Sequence, residues 1–242
     1  MSAVVRSLLF MLIAVVWTVV ACTLILLCFW LPHRQRRRIG HLWTMPVEWL
    51  IKHVLGITYE LRGAENIVEP VVILCKHQSA WETIVLQEIF HDVLFVWKRE
   101  LRFIPFFGWA IASMPMIAIN RGEGKSALRQ LVQQGKLRLS QGYSIAVFPE
   151  GTRAAPGEKL PYKIGGAFLA VAAGAPILPI AMNAGELWRR NAWIKRPGKV
   201  ILSIGPRIDT ADITATEANA RAERWIEGEM RNISPHLYPP AS

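Results

Sequence analysis

Between residues 7 and 32 the chain carries no charged side chain, and Leu, Val and Ile dominate the run. As a helix, 25 such residues reach about 37 Å, enough to cross a hydrocarbon layer of about 30 Å. A signal peptide would carry an apolar stretch about half as long and end in small residues. Here the run passes through Cys28, Phe29 and Trp30 into His33-Arg34-Gln35-Arg36-Arg37-Arg38. Four arginines after the run, against Arg6 before it, place the remainder of the chain on the cytoplasmic side of a membrane. Residues 42–57 are amphipathic and rich in Trp, the pattern of a helix lying in the membrane interface. The two segments read either as a span followed by a linker or as a helical hairpin embedded in one leaflet. The plainer alternative, the core helix of a soluble protein, fits poorly with the length and the basic flank.

Composition narrows the rest. Of 242 residues, 52% are hydrophobic and 19% charged, which excludes intrinsic disorder. The 28 Lys and Arg against 18 Asp and Glu give a net charge of +10, and with this apolar excess they point to a membrane surface as much as to nucleic acid. The six histidines and three cysteines show no zinc-ligand spacing, so neither a metal nor a cofactor is expected. Cys22, Cys28 and Cys75 read as buried thiols of a reducing compartment. The expected organisation is a membrane anchor over 1–33, a basic juxtamembrane and interfacial helical segment over 34–62, and one domain over 63–242.

That domain alternates. Short apolar runs at 71–75, 93–97, 116–119, 144–148, 177–181 and 200–204 are strand candidates. Helical patterns fall at 79–90, 125–141, 164–173 and 214–230, the last opening with Thr214 and Glu217 at capping-box spacing. Strands apolar on both faces and flanked by helices predict an α/β domain with a mixed, largely buried sheet. Pro176 and Pro179 restrict the 177–181 run and predict an edge strand.

Chemistry-bearing residues gather at strand ends. In Lys76-His77-Gln78-Ser79-Ala80-Trp81-Glu82-Thr83, a His follows the first strand of the domain at a helix entrance. A carboxylate five residues on can curl back to one ring nitrogen, fix the tautomer and leave the other nitrogen as a base. This is a triad without its Ser, suited to a base acting directly on a substrate hydroxyl; equally, Ser79 and Glu82 are spaced as a capping box. Phe148-Pro149-Glu150-Gly151-Thr152-Arg153 follows another strand, and its amides, hydroxyl and guanidinium suit a phosphate. Ile119-Asn120-Arg121-Gly122 offers a second guanidinium at the same sheet edge. Two decoys fail. Gly122-Glu123-Gly124-Lys125-Ser126 lacks the first glycine of a P-loop, which would fall at Ile119. Gly142-Tyr143-Ser144-Ile145-Ala146 lacks the last glycine of a nucleophile elbow.

Taken in order, His-x4-Glu, the Arg-Gly turn, Phe-Pro-Glu-Gly-Thr-Arg and the Pro-containing strand resemble the lysophosphatidic acid acyltransferase (1-acylglycerol-3-phosphate acyltransferase) family over roughly residues 63–205. The family's usual acid is Asp where this chain has Glu82; Lys76 stands where many members have Asn, and Asn120 where Asp is usual. The resemblance implies transfer of a fatty acyl group from acyl carrier protein or coenzyme A to the sn-2 hydroxyl of lysophosphatidic acid, at a membrane lipid surface and without nucleic acid. It implies that His77 takes the hydroxyl proton, Glu82 orients and charge-balances it, and no acyl-enzyme forms. Arg121, Glu150, Gly151, Thr152 and Arg153, with Lys98, would build the glycerol-phosphate pocket. Acylation of another lyso-lipid, such as lyso-ornithine lipid, and a non-catalytic adaptor binding anionic lipid are the rival readings; an adaptor needs the arginines but no base.

Overall fold

The computed structural model describes residues 2–238, without the side chains of Arg37 and Arg121. Two helices, α1 (Ala3–Leu27) and α2 (His33–Leu50), lead through one wide turn (Ile51–Leu55) to β1 (Ile57–Arg62). Gly56, left-handed at φ 72°, ends that turn and starts the strand. Then come β2 (Val72–Cys75), α3 (Trp81–Ile89), β3 (Val93–Lys98), α4 (Phe107–Ser113), β4 (Ile117–Ile119), α5 (Lys125–Ser140) and β5 (Ser144–Val147). They are followed by α6 (Gly165–Ala173), β6 (Ile177–Met182), α7 (Ala184–Leu187), β7 (Gly198–Ile204) and α8 (Ala215–Ile233).

The strands form one sheet in the order β1-β7-β6-β2-β5-β3-β4, parallel throughout except where β6 meets β7. The mixed, buried sheet expected from the apolar runs is present: every residue of β2, β5 and β6 is buried. Successive side chains take opposite faces. Ile73 and Cys75 therefore join a core with α1, α2 and α3, while Val72 and Leu74 join a second core with α5, α6 and α8. Thr214 caps α8 as its spacing predicts, accepting from the Glu217 amide.

Two expectations are corrected. β6 is not an edge strand; it lies between β7 and β2. On the β2 side, the amides of Val72 and Lys76 donate to the carbonyls of Pro176 and Ile180, so the alternating Pro179 faces β7. There it serves as an acceptor, taking the Gly205 amide at 2.9 Å just where β7 ends, and only one ladder bond is lost. Secondly, Cys28 is half-buried, because it sits at the end of α1 where the helix turns back. In addition, β1 pairs with β7 along its whole length, so the sheet begins at Ile57, ahead of the expected boundary at residue 63.

The N-terminal pair is a hairpin laid against the domain. α1 is apolar enough to cross a membrane (mean hydropathy 2.8 over its best window), yet one side of it is tied down along its length. Near its start, Ser7 Oγ accepts from the Lys195 amide at 2.8 Å, and Phe10 meets Trp188 edge-on at 5.4 Å. Midway, Trp43 of α2 donates to Thr18 Oγ1 at 2.9 Å; near its end, Cys22 and Ile25 pack with Ala110 of α4. Beyond the turn, Arg34 donates to the Gln141 carbonyl. Both ends of α1 thus rest on one body. Its opposite side exposes Leu8, Leu12, Val15, Val16 and Leu27.

Candidate active site

β2 and β5 are adjacent parallel strands, so the loops leaving their C-terminal ends lie side by side. The loop after β2 carries His77 and the loop after β5 carries Glu150. His77 Nδ1 lies 2.7 Å from Glu82 Oε1. That same oxygen accepts the amides of Gln78 at 3.0 Å and Ser79 at 2.9 Å. Ser79 Oγ takes the Trp81 amide, so α3 starts two residues later than its pattern suggests. The two readings of Glu82 are therefore one arrangement, in which a single oxygen organises the helix entrance and holds the imidazole. Phe148 stacks on the ring at 3.9 Å and 15°, fixing its plane. With Nδ1 engaged by a carboxylate, Nε2 is the nitrogen left for a substrate proton.

The second loop is latched to the first. His77 donates its backbone N–H to Glu150 Oε2 at 3.1 Å, and the Ala154 amide donates to the His77 carbonyl at 2.8 Å. Gly151 closes a tight turn onto the Phe148 carbonyl with φ 70°, and Lys163 packs so closely on it that a Cβ would come within 2.7 Å of Nζ. Thr152 is exposed and accepts from Arg190 Nη1 at 3.1 Å. Arg153 is half-buried, and its Nε is buried without a hydrogen-bond partner among the described residues.

Not every expected pocket residue faces outward. The Glu150 side chain is fully buried and turned inward, with Oε1 at 3.3 Å from Lys76 Nζ. Lys76, itself completely buried, also binds Glu227 Oε1 at 2.7 Å, and Tyr162 donates to that same oxygen at 2.9 Å. Burial pushes the Glu150 carboxyl up to about 7, although the Lys76 ammonium pulls the other way. Burial alone would depress the Lys76 ammonium, but Glu150 and Glu227 outweigh it and hold its pKa above the ordinary value. One cation between two buried carboxylates is neutral when one carboxyl keeps its proton, and the direction at Glu150 fits that. Lys98 ends β3, exposed and paired with Glu100 at 3.6 Å. Arg121 begins a short helical turn after β4, and its side chain lies outside the described residues.

Lys76, Glu227, Arg190 and Lys163 were not singled out as site residues from sequence. For Glu227 a signal existed: it falls on the face of α8 that buries Ala218, Ala222, Ile226 and Met230. For Lys76 the signal was a charge directly after four strand residues buried on both faces. Beside the site, a cavity of about 320 Å³ runs under Phe148 and Pro149, lined chiefly by Val96, Ile119, Leu128, Leu131 and Val147.

An imidazole held by a buried carboxylate, next to a loop that carries a guanidinium, is an arrangement suited to an enzyme of the group-transfer kind. Residues 58–183 match the Acyltransferase family model. The 1-acyl-sn-glycerol-3-phosphate acyltransferase of Pseudomonas aeruginosa is 46% identical over 210 residues, covering 85% of this chain and 82% of that protein. The alpha enzyme of the same name from Mus musculus is 30% identical over 177 residues, 71% of this chain and 62% of its own length. The crystal structure of the 1-acyl-sn-glycerophosphate acyltransferase PlsC from Thermotoga maritima superposes with a TM-score of 0.76 at 25% identity, over 96% of this chain and 97% of that one. The chain belongs to the 1-acyl-sn-glycerol-3-phosphate (lysophosphatidic acid) acyltransferase family.

Proposed function

We propose that the protein transfers a fatty acyl group from an acyl thioester, acyl carrier protein or coenzyme A, to the sn-2 hydroxyl of lysophosphatidic acid, giving phosphatidic acid. The observation that carries this is the Glu82–His77 pair, which leaves Nε2 as a base beside the loop that ends in Arg153. In this reading His77 Nε2 takes the hydroxyl proton as the sn-2 oxygen attacks the thioester carbonyl. The C–S bond then breaks, and the thiolate leaves with the proton from the imidazolium. Glu82 stabilises the imidazolium between the two events. A thiolate leaves readily, so no nucleophilic side chain and no acyl-enzyme is required.

The acceptor's phosphate is assigned to Thr152, Arg153 and Arg121 beside the turn that Gly151 makes, with Lys163 and Arg190 as further cations at the same loop. Glu150 acts by positioning: a carboxylate would repel a phosphate, whereas here it holds the His77 backbone. Lys98 has no role in this scheme. The apolar cavity under Phe148 suits an acyl chain. The helical hairpin lies in one leaflet with its exposed apolar side toward lipid, on the cytoplasmic face given by the arginine asymmetry. A +10 protein suits an anionic acceptor in an anionic leaflet.

The test is to incubate purified membranes containing the protein with labelled lysophosphatidic acid and, separately, acyl carrier protein and coenzyme A thioesters. Labelled phosphatidic acid is the expected product. Acylation of lyso-ornithine lipid in preference to lysophosphatidic acid would move the acceptor to the rival class, since such a substrate offers no phosphate to Arg153.

A further inference from the structure

The segment between α7 and β7 is anchored at Trp188, which packs on the core, and at the buried Lys195, and the turn between them projects outward. The Ala192 amide donates to the Arg189 carbonyl, and Asn191 takes a left-handed φ of 57°, which turns the chain outward. Beyond that turn Trp193 is 72% exposed and Ile194 47% exposed, with Arg189, Arg190 and Arg196 in solvent around them. Trp193 and Ile194 thus form an adjacent exposed apolar pair at the tip of the turn.

We propose that residues 189–196 are a second membrane-contacting element, in which Trp193 and Ile194 enter the interface and the arginines meet anionic lipid headgroups. Two observations choose a bilayer as the occupant. The first is continuity with α1: Ser7 Oγ accepts from the Lys195 amide at 2.8 Å while its own proton goes to the Ala3 carbonyl at 2.7 Å. The turn is thereby fixed to the helix whose outer side is a row of exposed Leu and Val. The second is composition, since Trp with flanking Arg is the interfacial pattern of membrane proteins. The consequence reaches the active site. Arg190, in this turn, donates to Thr152 of the Phe-Pro-Glu-Gly-Thr-Arg loop at 3.1 Å. A headgroup held at the turn is therefore one residue away from the loop assigned to the acceptor's phosphate.

This inference rests on the membrane reading of α1 and α2, and the experiment separates the two. The full chain and its Trp193→Phe variant are bound to phosphatidylglycerol vesicles with and without brominated acyl chains. The fluorescence that Trp193→Phe removes is expected to be the part quenched by bromine. If that difference signal is unquenched while the protein binds vesicles, the turn faces water or another protein and the inference falls. If the unaltered chain does not bind vesicles, both readings fall. A kinetic arm uses W193S/I194S with lysophosphatidic acid in vesicles and with a short-chain analogue dissolved as monomers. The vesicle KM should rise about tenfold, with the monomer KM unchanged and Trp193→Phe near normal. Equal losses with both acceptors would make the turn part of the site or the fold and would overturn the membrane assignment.

Discussion

Replacing Glu82 with Gln removes one charge and almost no volume from a side chain that is fully buried. Its Oε1 accepts from His77 Nδ1, the Gln78 amide and the Ser79 amide at 2.7, 3.0 and 2.9 Å. Three donors converging on one atom will keep the oxygen of a Gln amide in that place. The entrance of α3 and the Nδ1-protonated tautomer therefore survive, and what disappears is the negative charge facing the imidazolium. A hydrogen bond to a charged group is worth about 1.5–3 kcal/mol. Because that charge matters most once the ring is protonated, the loss falls on kcat, by roughly ten- to 150-fold. The new NH2 group replaces Oε2, which is buried without a hydrogen-bond partner among the described residues, so a small loss of stability accompanies it. Glu82→Asp keeps the charge and should retain substantial activity. The assay is phosphatidic acid formed from labelled lysophosphatidic acid at saturating thioester, with thermal unfolding run on each variant. A Glu82→Gln enzyme that folds and turns over like the unaltered protein would refute the electrostatic role and leave Glu82 as a helix cap alone.

Arg153→Ala should raise the KM for lysophosphatidic acid about ten- to a hundredfold with little change in the thioester KM, and Arg153→Lys should recover only part of it; a rise in the thioester KM alone would move Arg153 to the donor. Lys76→Met leaves Glu150 and Glu227 buried without their cation, at a cost of about 3–5 kcal/mol, and should lower Tm by about 6–20 °C. A Tm within a degree or two of the parent would contradict that ion-pair account. Glu150 is held more protonated in the fold than in the unfolded chain, so stability should fall as pH rises from 4.5 through about 7. Glu150→Gln mimics the protonated carboxyl and should flatten that slope; urea midpoints across the window would show an unchanged slope if the assignment is mistaken.

The periodic part of the structure was readable because the sheet is buried on both faces. A strand such as β2 or β5 has no polar alternation and stands out as a short apolar run bounded by turn residues. β1 was not readable. Its sequence, Ile-Thr-Tyr-Glu-Leu-Arg, follows an amphipathic helix without a break in pattern except Gly56, and its place is decided by β7, about 140 residues away. Edge or centre is likewise a property of pairing, so Pro179 misled where only the three-dimensional ladder could tell. Within the site, His77 and Glu82 are local in sequence and their geometry followed from spacing. Glu150 looked like a pocket residue for its loop neighbours' sake. Its inward turn depends on Lys76 and on Glu227 of α8, a partner more than seventy residues distant that no local pattern announces.

Turnover by His77→Ala tests the proposed chemistry most directly. The imidazole is the proposed base, its ring is held by Glu82 and Phe148, and the His77 backbone, which latches the two loops, is untouched by the substitution. A positioned base is worth about 10²–10⁴-fold. The expected result is a folded protein that still binds membranes and forms phosphatidic acid at least about a hundredfold more slowly at neutral pH. A His77→Ala protein with near-normal turnover would contradict the base assignment and the mechanism built on it.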